Sequence, residues 1–454
     1  WYTQPQIEIL GSKMRVAVIG GGFTGLACAS VLAQRGVEVV LYEKNEKLGG
    51  LAAGFREMTW SSSLEIFYHH WFRSDKHVFK FSRLWNALDG LQFRRPSTVI
   101  QIDSGEFVQL DSARSLLQYP DLNLADKLRM GAALAFLKFV ARWKKLEKFT
   151  AEEWCSRYMG EDGYQKIWKP LLVGKFGERH ASEVNMAWLW ARLKCRTPEL
   201  GTFSGGFDEF IVKAEQFLLE KGVRVLKNAQ KINVERTRDG WTVAALSHGI
   251  QEHDAVVVAA SPRAFASLVG QYAPEHVKST LGQPALGVQV IILALNQRLG
   301  QHYWYSLKRN PPFQPFLAAI EHTNFADAKE YDNETLVYFA KYIPTGSEEW
   351  KQTDEQLVDL ALQGCRLINP QFSDDWLIRS RVFREEYAQP IMGPNASRFV
   401  PSVHVHGVSR LFHASMAHVY PWDRGTNYAL ELGERVAEDV LRSLPAKSGA
   451  RVRK

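Results

Sequence analysis

Cysteine is scarce in this chain. Four of its 454 residues are cysteines (Cys28, Cys155, Cys195 and Cys365), and no two of them stand at C-x-x-C spacing. That excludes a disulfide framework and a thiolate metal site, and it fits a reducing cytoplasm. Long apolar runs are missing as well: no uncharged stretch approaches the ~20 residues of a membrane span. No nucleic-acid motif accompanies the net charge of +7. The plain reading of that charge is a mildly basic enzyme, and contact with an anionic membrane surface is the alternative. Residues 1–13 open on Trp1 rather than methionine and lack the charged and apolar regions of a signal peptide. They read as an upstream extension ahead of Met14, where a natural start falls. At 46% hydrophobic and 23% charged residues the composition is that of a globular protein, and the length calls for two or three domains.

What is present begins at Met14. Residues 16–19 are apolar and rich in β-branched side chains, as in a strand buried on both faces. Gly20, Gly22 and Gly25 follow at G-x-G-x-x-G spacing. The first lets the chain turn out of the strand, the second leaves room for a pyrophosphate against bare backbone, and the third lets the next helix pack close. A helix over 26–35 ends at Gly36, and its amides and positive dipole end would face the diphosphate. A second apolar strand, 37–42, closes with Glu43, about 20 residues beyond the glycines, where a carboxylate accepts from ribose hydroxyls. The order of these parts points to a Rossmann-type dinucleotide site.

Downstream of Glu43 and Lys44 comes a second glycine pair, Gly49 and Gly50. It suits backbone lying against the middle of a cofactor longer than NAD. At these residues the chain resembles the flavin-dependent amine oxidase superfamily, which includes protoporphyrinogen oxidases and phytoene-type desaturases, with UDP-galactopyranose mutase more distant. The resemblance implies FAD, held without a covalent bond. It also implies an α/β fold: a doubly wound, glutathione-reductase-like FAD-binding domain interleaved with a substrate domain of antiparallel sheet and helices. The chain departs from the pattern at Leu51, where many members carry arginine; Arg56 is the nearby substitute.

On this reading the FAD-binding domain takes 14–110, 201–283 and 401–445. A helical substrate-side insertion takes 111–200, and the sheet and helices of the substrate domain take 284–400. Residues 64–72 read as a strand with adjacent His69 and His70, which then point to opposite faces. Either the pair packs among aromatics, or one of them flanks the flavin ring where the resemblance runs this segment. Residues 126–148 read as an amphipathic helix with Leu128, Ala132, Phe136, Phe139 and Trp143 on its apolar face. Packing of that face on the protein itself is the first expectation and contact with a membrane surface the second. Thr150 with Glu153 reads as a capping box. Strands are expected over 288–295, 335–342 and 377–383, with an aromatic turn that includes Pro311, Pro312 and Phe313.

The resemblance places Val225 against the adenine through its backbone. It makes Lys341 the nearest counterpart in kind to the lysine of amine oxidases. At the C-terminal end, strand, loop and helix close the cofactor site. The chain has Ala414-Ser415 where the family has Gly-Asp, so Ser415 substitutes a neutral hydrogen bond. Arg424, Gly425 and Thr426 open the last helix. Phe23 and Thr24 join the expected cofactor-binding residues at the first one. No metal site is expected. The expected activity is hydride removal from a C–H or C–N bond of an apolar, lipid-like or amine-type small molecule, with His69, His70 and Lys341 as candidate catalytic residues. A sugar-nucleotide mutase using reduced FAD and a non-catalytic nucleotide-binding module are the alternatives. A cytoplasmic location is expected, with peripheral membrane contact left open, and nothing in the sequence sets an oligomeric state.

Overall fold

The computed structural model describes residues 14–308 and 314–443. The expected extension over 1–13 and the turn at Pro311, Pro312 and Phe313 lie outside the described residues. Five parallel strands form the first sheet, in the order Arg224–Leu226, Glu38–Tyr42, Arg15–Ile19, Ala255–Val258, Leu411–His413. Val16, Val18, Val39, Val40 and Val256 are wholly buried, because both faces of a parallel sheet are covered. One face packs against helices Phe23–Gln34, Phe207–Glu220 and Thr426–Ser443. The other is covered differently. A three-stranded antiparallel sheet (Asn233–Arg236, Trp241–Ala245, Gly249–His253) lies there with helix Pro262–Val269. The chain thus enters the cofactor-side sheet three separate times.

The first and last helices meet closely. A Cβ on Gly433 would lie 2.3 Å from the Thr24 carbonyl oxygen, so only glycine permits this contact, which holds the end of the chain against its beginning.

A second sheet has seven strands, in the order Leu377–Pro390, Ala285–Leu295, Thr335–Ile343, Ala318–Glu321, Trp304–Ser306, Thr98–Gln101, Phe107–Gln109. Residues 98–109 therefore belong to this sheet, ahead of the expected boundary at 110. The strand expected over 377–383 continues to Pro390. It is an edge strand, and its charged residues Arg381, Arg384 and Glu385 break the apolar pattern that reveals inner strands. One face of the sheet carries helix Asp354–Ile368. The other packs on a helical layer that includes Leu124–Phe139, Ala151–Met159, Lys169–Ala181 and Met186–Cys195.

Two expectations in this layer meet different outcomes. The capping box of Thr150 and Glu153 forms. The long amphipathic helix instead stops at Phe139, and a short helix Trp143–Leu146 follows. Its buried residues are Met130, Ala133 and Leu137, whereas Leu128 is 59%, Phe136 44% and Phe139 78% exposed. The helix has two apolar stripes, and the one that finds a partner is the one with smaller side chains. Lys138, between them, donates to the carbonyls of Leu193 (3.2 Å), Lys194 (2.8 Å) and Arg196 (2.7 Å), and so ties this helix to the end of Met186–Cys195.

Candidate functional site

The glycine turn is dictated by sterics. Gly20 has φ +110°, and a Cβ there would sit 2.3 Å from the Ala259 carbonyl oxygen. A Cβ on Gly25 would approach the Gly20 oxygen to 1.9 Å. Gly22 is different, because the nearest atom to its Cβ position is the Gly50 Cα at 3.8 Å, which leaves open space beside bare backbone. It also opens helix Phe23–Gln34, which has no side-chain cap and no acidic residue in its first turn. The amides of that turn are left to an anionic ligand. The Phe23 ring stacks on Phe210 at 5.8 Å, so Phe23 and Thr24 offer backbone rather than side chain. Gly49 donates to the Gly21 carbonyl at 2.8 Å, bringing the second glycine pair beside the first. This cradle fits a dinucleotide pyrophosphate.

Glu43 is 5% exposed and accepts from the Gly21 amide at 2.7 Å and the Asn45 amide at 2.9 Å. Its own amide donates to the Leu226 carbonyl at 2.9 Å, so the Val225 strand lies directly alongside. Lys44 is exposed, and Leu51 is half-buried in the turn after Gly49. Arg56 pairs with Glu209 at 3.2 Å. The loop is held by Asp208, which accepts from the Gly54 amide at 2.6 Å and pairs with Lys47 at 3.1 Å.

The closing strand follows the same logic. The Ala414 amide donates to the Val258 carbonyl at 2.9 Å, and Ser415 accepts from the Ala417 amide at 3.3 Å. Helix Thr426–Ser443 also begins without an acid in its first turn. Thr426 Oγ1 accepts from Trp71 Nε1 at 2.7 Å, and Gly425 is exposed at the mouth of this helix. Arg424 turns away from the helix start. Its Nε donates to Gln389 Oε1 at 2.9 Å, and its guanidinium donates to the Tyr342 hydroxyl.

Arg424 belongs to a second group, built from side chains. Asp423 accepts from Trp188 Nε1 at 2.9 Å and pairs with Arg192 at 2.6 Å. Lys175 is 4% exposed, with Nζ 3.8 Å from the centre of the Tyr342 ring. Burial would raise the Asp423 carboxyl, but Arg192, Lys175 and Arg424 together bring it down to about 2. Burial, then Arg424 and Arg192, push the Lys175 amine well below the ordinary lysine range. Sequence reasoning missed Lys175, Gln389 and Tyr342. The one available signal was a lysine set in the apolar run of residues 171–176.

Residues 66–70 form no strand, in contrast to the expected one: they run irregularly between the short strands Leu64–Glu65 and Trp71–Phe72. Strict alternation therefore does not apply to the histidine pair. His69 Nδ1 donates to the Phe67 carbonyl, which leaves Nε2 with the lone pair of a neutral ring, and its ring packs near Phe207. Burial and then Arg424 lower His69 to about 4. Burial, then Arg196, lowers His70 to about 3, and its Nδ1 has no hydrogen-bond partner. Tyr68, just before them, meets Trp304 and Tyr338 edge-on at 5.5 and 6.0 Å. Lys341 lies elsewhere. Tyr338 and Tyr342 face the helical layer, so Lys341 falls on the opposite face of its strand, where it donates to Gln352.

Two further ionisable features lie near these residues: Glu65, whose carbonyl accepts from the Tyr338 hydroxyl at 2.6 Å, and a histidine trio. Glu65 accepts from the Phe207 amide at 2.9 Å and so serves the start of helix Phe207–Glu220. Burial drives its carboxyl up to about 7, against the lowering effect of that bond. His276, His413 and His418 bring ring nitrogens within 4.8 Å of one another, a grouping no spacing in the sequence announces. His276 Nε2 and His413 Nδ1 share a hydrogen bond of 3.0 Å.

Comparison with known proteins fits this geometry. A putative protoporphyrinogen oxidase from Exiguobacterium sp. 255-15 superposes with a TM-score of 0.74 at 16% identity, covering 95% of this chain and 99% of that one. Reduced UDP-galactopyranose mutase gives 0.70 at 14% identity, over 95% and 94%. At such identities these likenesses speak for the fold, which is that of FAD-dependent oxidoreductases with a Rossmann-type domain. Among curated proteins, a zeta-carotene desaturase from Synechocystis sp. is 23% identical over 256 residues, 50% of this chain and 52% of that protein. The chain spans about half or less of the carotenoid enzymes it matches. A family model described as flavin containing amine oxidoreductase matches residues 23–441, and the chain belongs to that family.

Proposed function

We propose that this protein is an FAD-dependent oxidoreductase that removes a hydride from a C–H or C–N bond of a small-molecule substrate. The observation that carries the reading is the pairing of an uncapped glycine turn at Gly20–Gly25 with the buried Glu43 carboxylate that accepts from the Gly21 amide. Gly22, Gly49 and Gly50 would take the pyrophosphate against backbone, Glu43 the ribose, the Val225 strand the adenine, and Ser415 with the start of the last helix the far end. When bound, the flavin supplies the two-electron chemistry. The chain supplies the rest. Tyr68, Trp304 and Tyr338 form an aromatic cluster that would wall an apolar substrate chamber. His69, kept neutral by burial, packs beside Phe207 and bonds the Phe67 carbonyl.

Anaerobic mixing of the oxidised, FAD-loaded protein with candidate substrates tests the reading: bleaching of the flavin spectrum is expected, with recovery on adding oxygen or a quinone. Turnover of a sugar nucleotide only after dithionite reduction would replace it with the mutase reading. In that case His69→Ala or His70→Ala abolishes turnover with FAD still bound, whereas for net oxidation the same changes cost stability more than rate.

The outward stripe of helix Leu124–Phe139 supports peripheral contact with a membrane. Leu128, Phe136, Phe139 and Val140 are exposed beside the basic residues Arg142, Lys144, Lys145 and Lys148, the arrangement of an interfacial helix. No helix among the described residues is long and apolar enough to cross a membrane. Such contact suits a lipid-like substrate.

A further inference from the structure

The roof of the proposed chamber, with Lys175 buried and Arg192 and Arg424 partly so, holds more positive charge than its one carboxylate neutralises. The group is one connected network. Lys175 Nζ sits over the Tyr342 ring at 3.8 Å, and the Tyr342 hydroxyl accepts from Arg424. Arg424 Nε donates to Gln389 Oε1 at 2.9 Å, and Gln389 Nε2 reaches Asp423 Oδ1 at 3.4 Å. Asp423 Oδ2 closes the line with Arg192 at 2.6 Å. Along it stand three cations (Lys175, Arg192 and Arg424) and one carboxylate.

Asp423 is already committed, with one oxygen on Arg192 and the other on Trp188. Among the described residues no other carboxylate pairs with any of the three cations. Lys175 lies over a ring, and Arg424 spends its Nε and one terminal nitrogen on neutral oxygens, which leaves guanidinium donors over. A buried cation without a counter-charge is costly, and guanidinium donors in a fixed plane match the oxygens of phosphate or carboxylate. The lowered amine of Lys175 is consistent with a cation that lacks its anion.

We propose that this network binds an anionic end of the substrate, a group of the phosphate type. The choice within anions follows from charge: an anion beside Lys175 favours its protonated form, and the three cations then exceed the one carboxylate by two, which a phosphate monoester or diphosphate matches and a single carboxylate does not. The same field repels a protonated amine at this end of the chamber. The proposal rests on the preceding reading for the identity of the chamber, and it adds the chemistry of the substrate's far end. It also accommodates a lipid-like substrate, since an apolar body carrying a phosphate head satisfies both the aromatic walls and the charged roof.

The test uses the oxidised, FAD-loaded protein at constant ionic strength, titrated calorimetrically with inorganic phosphate, pyrophosphate, acetate and putrescine. Because FAD fills the glycine cradle, anions are kept from it, and the Lys175 and Arg192 variants identify binding at the roof. One equivalent of phosphate or pyrophosphate is expected to bind, with affinity that falls as salt rises and with acetate and putrescine at least ten-fold weaker. Lys175→Met and Arg192→Gln are each expected to weaken the phosphate-type anion ten-fold or more with flavin content unchanged. If the buried Lys175 variant fails to load FAD, the half-exposed Arg192 variant and the wild-type titrations decide.

A silent phosphate and pyrophosphate titration overturns the proposal. So does acetate binding as tightly, or wild-type affinity in Arg192→Gln. No turnover is involved. A protein that binds pyrophosphate but whose flavin no substrate reduces therefore defeats the oxidoreductase reading alone, and one with reducible flavin and a silent titration defeats this proposal alone.

Discussion

The two ends of the cleft are built from opposite materials. At the proposed cofactor end the working parts are backbone amides, two helix starts without an acid in the first turn, and glycines of which Gly20 and Gly25 admit nothing larger, with Glu43 as a buried charge. At the proposed substrate end they are long side chains, ionisable at positions 175, 192, 423 and 424 and neutral at 342 and 389. A backbone cradle is specified by short-range sterics and tolerates almost no substitution at its glycines. A side-chain network is specified by the whole fold, and its members can be exchanged singly. The cofactor end therefore fixes what kind of chemistry is available, while the substrate end sets what it is applied to.

That contrast can be broken most severely at Gly25. Gly25→Val puts atoms where the Gly20 carbonyl already lies, 1.9 Å from a Cβ, and is expected to cost more than ~4 kcal/mol, the range of severe core disruption. Loss of soluble, flavin-loaded protein on expression is the readout, and a yellow, stable variant would show that the cradle tolerates more than its geometry implies.

Glu65 is next. Its folded pKa stands above the ordinary glutamate value of 4.5, at about 7, so the fold retains a proton that the unfolded chain gives up. This contribution to stability is complete below the ordinary value and is lost as pH rises toward 7. Glu65→Gln keeps the acceptor for the Phe207 amide without the charge. It is expected to match wild type near pH 4.5 and to exceed it by up to ~3 kcal/mol at pH 8, at about 1.4 kcal/mol per pKa unit. Denaturant midpoints at the two pH values check this, and a constant difference between them would count against it.

Glu43→Gln sharpens the comparison by removing the one charge from the backbone-built end. Charge-assisted bonds to a ribose are worth ~1.5–3 kcal/mol, so FAD affinity should fall roughly ten-fold or more. Fluorescence titration of apoprotein measures it, with unchanged affinity assigning Glu43 to the turn alone. The smallest effect on stability is expected at Phe139, which is 78% exposed. Phe139→Ser should move stability by no more than ~0.5 kcal/mol yet reduce sedimentation with anionic vesicles. Equal vesicle binding would remove the outward stripe from consideration as a membrane contact.

The cofactor end was readable because its constraints are local. Gly20, Gly22, Gly25 and Glu43 stand within one strand–helix–strand unit, where spacing translates directly into position. Gly433 illustrates the limit: it abuts Thr24 as tightly as Gly20 abuts Ala259, with 2.3 Å to a Cβ in each case, yet its partner lies near the other end of the chain. The charged roof was out of reach for the same reason, since the partners of Asp423, Trp188 and Arg192, lie 235 and 231 positions away in the sequence. The amphipathic helix failed differently. Periodicity finds apolar stripes but does not say which of two will be covered, and here Met130, Ala133 and Leu137 were chosen over Leu128, Phe136 and Phe139. The histidine pair was assigned a strand because aromatic, β-prone residues surround it, whereas the chain there is bent between two strands of two residues each.

Lys138 gives the helical layer a mechanical property. Its ammonium gathers the carbonyls of Leu193, Lys194 and Arg196, and Lys194 returns a bond of 2.5 Å to the Lys138 carbonyl, so the outward-facing helix and the helix bearing Trp188 and Arg192 are latched at one corner. Sliding one helix past the other at this corner would break all four of these bonds at once.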